Sequence, residues 1–470
     1  MNSFQKLVND VHYRKYQIEV QPFCDDKKQA RRKQNVTAKA GKPLSQRGPE
    51  ASGLSGIRVL DLGRYIAAPY CAALLADQGA EVIRIEPPEG APDRDVMPIG
   101  LEGRGALYMQ VNRNKKSLAL DITTDEGRGV FERLVAQSDV VMVNLPPAAL
   151  KRARLDYESL KALRSDIILT TISALGFEGD AKDRTGFDGT GQALSGAMHL
   201  TGTGERPMRA AVSYVDFSTA MAAAFATVSA LYERTRTGRG QHVQASLLGS
   251  AVTMTNPMLM EEASGARQRE AMANRSPIAG PSDLFELRDG WILVQVIGNG
   301  MFARWARLIG REDLIDDPRF FSDLGRGENG AVLSEIMSDW CAGRTMKECL
   351  TELENARIPG CPALTPAAAL RAPEIKDGGF FRNDPAPFGA RGADMGLPVV
   401  TGAIRTAAAM ANAGHPAPEL GADSHELLTR FGFGSEEIRK LTSPPSARVR
   451  AAKLGGSDRP PKGGERKCLD

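Results

Sequence analysis

Residues 57–88, IRVLDLGRYIAAPYCAALLADQGAEVIRIEPP, decide the fold. The run IRVLDLG (57–63) is short, apolar and closed by glycine, which reads as a buried strand. PYCAALLADQG (69–79) is rich in Ala and Leu and stops at Gly79, which reads as a helix with its terminator. EVIRIEPP (81–88) is apolar and β-branched again and ends on prolines, which cannot continue a hydrogen-bonded ladder. Strand, helix and strand in so short a span make a βαβ unit, whose strands lie parallel.

The alternation continues through KSLALDI, DEGRGVFERLVAQSD, VVMVNLPP, YESLKALR and DIILTTIS, as strand, helix, strand, helix and strand. The fold class is therefore α/β, with a parallel sheet covered on both faces. Ligands of such sheets bind outside the strand C-termini, so the loops at 63–69, 144–147 and 173–179 are the places to search. No G-x-G-x-x-G follows the first strand, and no G-x-x-x-x-G-K-[ST] occurs. Neither a dinucleotide fingerprint nor a P-loop is present. Beyond residue 245 the pattern changes: PSDLFELRDGWILVQVIG (281–298) reads as a hairpin about the Arg288-Asp289-Gly290 turn, and helices follow at MFARWARLIG and LSEIMSDWC. A smaller α+β unit is expected there.

The chain has 470 residues and a formal net charge of +3. Residues 1–53 hold eleven Lys/Arg against five Asp/Glu, and 444–470 hold seven against three, so the body between them is acidic. That distribution argues against nucleic acid as a partner. Both ends are polar and rich in turn formers and are expected to be disordered, 1–53 as a basic extension and 444–470 as a tail. Six cysteines without a C-x-x-C pair, and no histidine at ligand spacing, fit a reducing compartment and no bound metal. No apolar run reads as a membrane span or signal peptide, so a cytoplasmic protein without membrane partners is expected.

One carboxylate needs explaining. In AAVSYVDFSTAMAAAFATVSALYERTRTGRGQ (210–241), Asp216 precedes sixteen uncharged residues. The stretch after it reads as a helix and residues 212–215 as a strand end or tight connector. Asp216 can cap the helix, or it can be a nucleophile held at its start.

Six ordered segments carry a resemblance: LSGIRVLDLGRYIAAPYCAALLADQGAEVIRIEPPEG, VNRNKKSLALDI, VVMVNLPPAALKRARLDYESL, RTGFDGTGQALSGAMHLTG, VDFSTAMAAAFATVSALYERTRTGRGQHV and PELGADSHELLTRFG. Over about residues 54–440 the chain resembles the family III coenzyme A transferases, a group that also includes 2-methylacyl-CoA racemases. The resemblance implies a Rossmann-like large domain over 54–245, a small α+β domain with linkers over 246–380, a return to the large domain over 381–443, and an interlocked homodimer. It implies acyl-CoA and a free carboxylic acid as substrates, with no permanently bound cofactor. The family's catalytic aspartate falls on Asp216. An aspartate of ordinary pKa, about 3.9, is charged at neutral pH, and helix-start N–H groups would keep it so.

Coenzyme contacts carry over to Ala67, Asn144 and Arg152, and the segment near the adenine to Leu120 and Thr123. Arg113, Lys115 and Lys116 meet the phosphates or form a solvated strand edge. Asp188 either supports Asp216 or holds its own turn. The racemases place a histidine acid/base where this chain has Phe187, which has no proton to give. Ile66 stands where the formyl-CoA branch has glutamine, Pro87 replaces a basic coenzyme contact, Phe177 a common glutamine, and that branch's glycine-rich loop is missing. The expected activity is CoA transfer; an acyl-CoA racemase or isomerase, or a non-catalytic CoA-binding protein, are the alternatives.

Overall fold

A computed structural model describes residues 53–100, 105–385, 396–400 and 414–442. The expected disordered ends, Gly53 apart, lie outside the described residues. The first part of the chain runs β1 (Arg58–Asp61), α1 (Ala67–Asp77), β2 (Glu81–Glu86), α2 (Ala106–Val111), β3 (Lys115–Ala119), α3 (Asp125–Val135), β4 (Val140–Val143), α4 (Pro147–Arg152), α5 (Tyr157–Leu163), β5 (Ile168–Ser173), α6 (Asp188–Leu194), α7 (Ala197–Thr201), α8 (Tyr214–Thr237) and β6 (His242–Ser246). The six strands form one sheet in the order β3-β2-β1-β4-β5-β6, parallel at every pairing.

Alternate strand residues feed two different cores. Val59, Val82, Val140, Met142 and Ile168 pack with α1 and α8 on one face. Leu60, Ile83, Val141 and Leu169 pack with α3 and α5 on the other. Both faces are dry, which is why these strands read as unbroken apolar runs.

The 24-residue α8 is, by length and composition, long and apolar enough to cross a membrane, contrary to the sequence reading. One face is buried on the sheet through Val215, Thr219, Ala220, Ala223, Ala224, Thr227, Ala230 and Leu231. Its small side chains let α1 and α8 approach closely, so much of its apolar character serves the core. The helix begins at Tyr214, two residues earlier than the strand-like reading of 212–215 required.

Further along, α9 (Leu247–Ala263) sends Leu247 and Ala251 into the first core, although the expected boundary at 245 assigns it to the small unit. A second, antiparallel sheet has the order β7 (Ser282–Leu287), β8 (Gly290–Gln295) and β9 (Gly360–Pro362). With α10 (Asn299–Leu308), α11 (Gly330–Cys341) and α12 (Met346–Asn355) it encloses a separate core that runs from Phe285 to Ile358 around Trp305. The chain then pairs β10 (Phe381–Asp384) with β11 (Leu397–Val400). Helices α13 (Ser424–Arg430) and α14 (Ser435–Thr442) return Leu427, Leu428, Phe431 and Ile438 to the second core.

Candidate active site

The strand order reverses between β1 and β4, and the loops leaving their C-termini part there to open a crevice. Two devices fix the β1 loop. The Asn144 side chain accepts the Arg64 N–H and donates to the Arg64 carbonyl, both at 2.8 Å, which ties the β4 loop to the β1 loop. Gly63 has no room for a side chain: a Cβ would lie 2.7 Å from Ala68 and 2.8 Å from both Asp61 and Pro69. Tyr65 follows with φ at 63°, a left-handed conformation that a bulky residue adopts only where its surroundings impose it.

Beneath this loop lies a buried ion cluster. The Lys115 ammonium donates to Asp61 at 2.7 Å, to the Pro69 carbonyl at 2.8 Å and to Asn112 at 2.9 Å. Arg84 donates to the Gly63 carbonyl at 3.1 Å and, through one nitrogen, to both Asp93 oxygens at 2.9 Å. Burial raises the Asp61 carboxyl, but Lys115 and Arg84 outweigh it and hold the group below its usual range. Burial pushes the Lys115 ammonium down to about 8, against the pull of Asp61.

These contacts correct the reading of the basic run. Lys115 is enclosed and saturated, neither a phosphate contact nor a solvated edge. Arg113 is buried against Asp77 at 2.5 Å. Lys116 pairs with Glu426 at 2.7 Å. Arg113 and Lys115 are structural because each is buried against a carboxylate partner within the fold, whereas Lys116 lies partly exposed on the edge strand β3.

The two carboxylates meet at the start of α8. Asp188, buried at the first residue of α6, accepts the Val215 N–H at 2.8 Å and the Asp216 N–H at 3.1 Å through one oxygen. Its other oxygen accepts Gln192 Nε2 at 2.5 Å, and Gln192 in turn accepts the Ala210 N–H at 2.9 Å. Asp188 therefore does the capping that the sequence reading offered to Asp216. Asp216 lies three residues past the Ser213 cap, and its carboxylate has no hydrogen-bond partner among the described residues. Burial, then the neighbouring charge of Asp188, push its carboxyl up to about 7. The expectation of an ordinary, N–H-stabilised carboxylate fails because those N–H groups are already taken.

Asp216 opens into a cavity of about 200 Å³ lined also by Arg64, Tyr65, Ala67, Asn144, Arg184 and Phe187. A second cavity of about 220 Å³ is lined by Gly63, Pro87, Leu120, Thr123, Ala153 and Leu155. Arg64 and Leu145 border both, so the two abut over the strand C-termini. Ala67 and Asn144 are thus brought to Asp216, whereas Leu120 and Thr123 stand at the far end. Arg152 is exposed in the last turn of α4 and lines neither cavity. A larger cavity of about 610 Å³ between α3 and α14 contains neither carboxylate, so size does not mark the site. Sequence reasoning missed Arg64, Tyr65 and Arg184; the first two lie in a loop it singled out, and Arg184 opens the quoted segment RTGFDGTGQALSGAMHLTG.

A carboxylate without a hydrogen-bond partner among the described residues, in the crevice of a doubly wound sheet, marks a candidate site of an α/β enzyme. The model of CoA-transferase family III matches residues 54–424, and the chain belongs to that family. It is 31% identical over 402 residues to a succinyl-CoA–D-citramalate CoA-transferase of Chloroflexus aurantiacus, covering 84% of this chain and 98% of the relative. It is likewise 31% identical over 392 residues to a succinyl-CoA:mesaconate CoA-transferase of Haloarcula hispanica, covering 81% and 97%. The crystal structure of a CAIB/BAIF family protein from Brucella suis is similar at a TM-score of 0.69 and 29% identity, covering 81% of this chain and 99% of that one. The protein is a CoA-transferase, acting between an acyl-CoA and a carboxylic acid.

Proposed function

We propose that Asp216 is the nucleophile of this transfer and that the acyl group is a short dicarboxylate such as the succinyl group of the relatives' names. The observation that carries the reading is the Asp216 carboxylate, raised to about 7 and without a hydrogen-bond partner among the described residues, in a cavity at the sheet crevice. A carboxylate of raised pKa is the stronger nucleophile once ionised. It attacks the thioester carbonyl carbon, the C–S bond breaks, and CoA leaves as thiolate. The resulting mixed anhydride is attacked at its Asp216 carbonyl by the thiolate, which releases the first carboxylate and leaves an aspartyl-CoA thioester. The acceptor carboxylate then attacks that thioester and expels CoA thiolate again. Attack of the thiolate on the acyl carbonyl gives the new acyl-CoA and restores Asp216.

Supporting the placement of the coenzyme, the cavity at Leu120 and Thr123 suits the adenine end and abuts the Asp216 cavity at Arg64, with Ala67 and Asn144 along the way. Arg152, exposed on α4, is kept as a peripheral phosphate contact. Asp188 is a positioning residue: it holds the first turn of α8 and sets the charge beside Asp216. Phe187 packs edge-on against Tyr65 with ring centroids 5.8 Å apart and offers no acid for a racemase. A homodimer is part of the proposal. Met221, Phe225, Val228 and Tyr232 form an exposed apolar stripe on α8, Phe225 at 77%, which a second copy would cover.

Trapping tests the nucleophile. The protein incubated with succinyl-CoA and then hydroxylamine is expected to carry a hydroxamate at Asp216, read by peptide mass mapping. A hydroxamate confined to Asp188, or full transfer by Asp216→Asn, would remove Asp216 from the chemistry.

A further inference from the structure

Two arginines, Arg64 and Arg184, are among the residues that line the Asp216 cavity, and both are exposed. Neither side chain has a hydrogen bond or ion pair among the described residues. Nor does either neutralise Asp216, whose carboxyl is moved by burial and by Asp188. Cations at a reactive cavity without a protein counter-charge are available to a ligand's charge. Their positions divide the work. Arg64 borders both cavities and so meets the part of the thioester that spans them, whereas Arg184 borders the Asp216 cavity and not its neighbour.

The backbone that carries Arg184 is held in place. Asp183 accepts the Ala148 N–H at the start of α4 at 2.7 Å, and the Arg184 N–H donates to the Ala181 carbonyl at 3.0 Å. Beyond it, the Phe187 N–H donates to Thr190 Oγ1 at 3.1 Å. The Tyr65 and Phe187 rings border the same cavity and give it an apolar wall. A cavity that holds the Asp216 carboxylate, an apolar wall and an arginine without a protein partner among the described residues suits a molecule with a carboxyl at each end of a short aliphatic chain.

We infer that Arg184 is the specificity-determining residue that receives the second, non-reacting carboxylate of the acyl group, in the bidentate geometry a guanidinium offers. The inference rests on the reading of Asp216 as nucleophile. It excludes simple monocarboxylates as good acceptors, because they leave the guanidinium without a partner in the loaded site.

The test uses the full-length protein with succinyl-CoA as donor and either glutarate or pentanoate, acids of equal length, as acceptor. In a ping-pong reaction kcat/KM for the acceptor reports the second half-reaction, so any effect on the donor cancels in the ratio between the two acids. The wild type is expected to favour glutarate. Arg184→Gln should reduce that preference about ten- to a hundredfold, the size of a lost charge-assisted bond, and Arg184→Lys should restore part of it. An unchanged ratio in Arg184→Gln, or a wild type that prefers pentanoate, overturns the role of Arg184 and leaves Asp216 untouched. No hydroxamate at Asp216 overturns the nucleophile even where the acceptor ratio moves. The wild-type preference is measured without any variant, so an unfolded Arg184→Gln protein does not protect the inference.

Discussion

Asp61 and Asp216 are two aspartates at the C-terminal edge of the same sheet, and their surroundings treat them oppositely. Asp61 ends β1, is fully buried, and touches an ammonium at 2.7 Å and its own loop's N–H at 2.8 Å. It stays ionised and its bonds are used up. Asp216 has the charge of another carboxylate acting on it and no donor among the described residues, so burial and that charge push its carboxyl up to about 7. Burial acts in the same direction on both; the sign of the neighbouring charge decides the outcome. The first arrangement fixes a loop, and the second leaves a group able to react.

Substitutions that exchange these conditions test the comparison, beginning with the greatest effect. Asp216→Asn should keep the fold and lower steady-state transfer by several decades, because an amide cannot form the anhydride. Lys115→Met should cost about 3–5 kcal/mol in urea unfolding, since Asp61 would be left buried without its nearest cation. Transfer by Lys115→Met protein that remains folded should show a raised KM for acyl-CoA, as the loop tied to Asp61 and Pro69 loosens.

The pH dependence probes the other pair. In the free enzyme kcat/KM should rise with pH and level off above about 7, as Asp216 loses its proton. Asp188→Asn removes the like charge and should move that inflection downward, with a loss of about tenfold or less in kcat from the weakened hold on α8. An inflection that stays in place would show that burial alone raises Asp216.

Stability follows from the same shift. The folded pKa of Asp216 lies above the ordinary value, so between about 4 and 7 the folded state holds more protons than the unfolded one. The wild type therefore loses stability as pH rises through that window. Asp216→Asn has no such group and should melt a few degrees higher than wild type at pH 8, with the gap closing toward pH 4. The smallest expected change is in Arg152→Ala: an exposed phosphate contact is worth about 1 kcal/mol, so KM for acyl-CoA should rise about fivefold with kcat unchanged.

Much of this was legible in the chain. The βαβ alternation yields the sheet body, because strands buried on both faces must be apolar throughout; β1, β2, β4 and β5 fall inside the runs quoted for them, and β3 begins one residue earlier, at Lys115. The β7–β8 hairpin was legible from its turn. The edge strand His242–Ser246 was not, since half-exposed HVQAS carries neither an apolar run nor a clean alternation. The three loops at the strand C-termini followed from sequence order, whereas Asp216 was singled out by the family resemblance, its position alone leaving a cap and a nucleophile open.

What the sequence by itself could not assign was the state of each charge. VNRNKKS reads as a basic run that meets phosphates or lies solvated at a strand edge, yet Arg113 and Lys115 face inward to Asp77 and Asp61, which stand 36 and 54 residues away in sequence. Asp216 reads as a cap or as a nucleophile kept ionised by the same N–H groups, yet Asp188, 28 residues earlier, takes those N–H groups and leaves the Asp216 carboxylate without a hydrogen-bond partner among the described residues. Local periodicity determines which residues enter a strand or helix. The pKa and availability of a side chain depend on partners a few ångströms away, which only the packing of distant segments brings together.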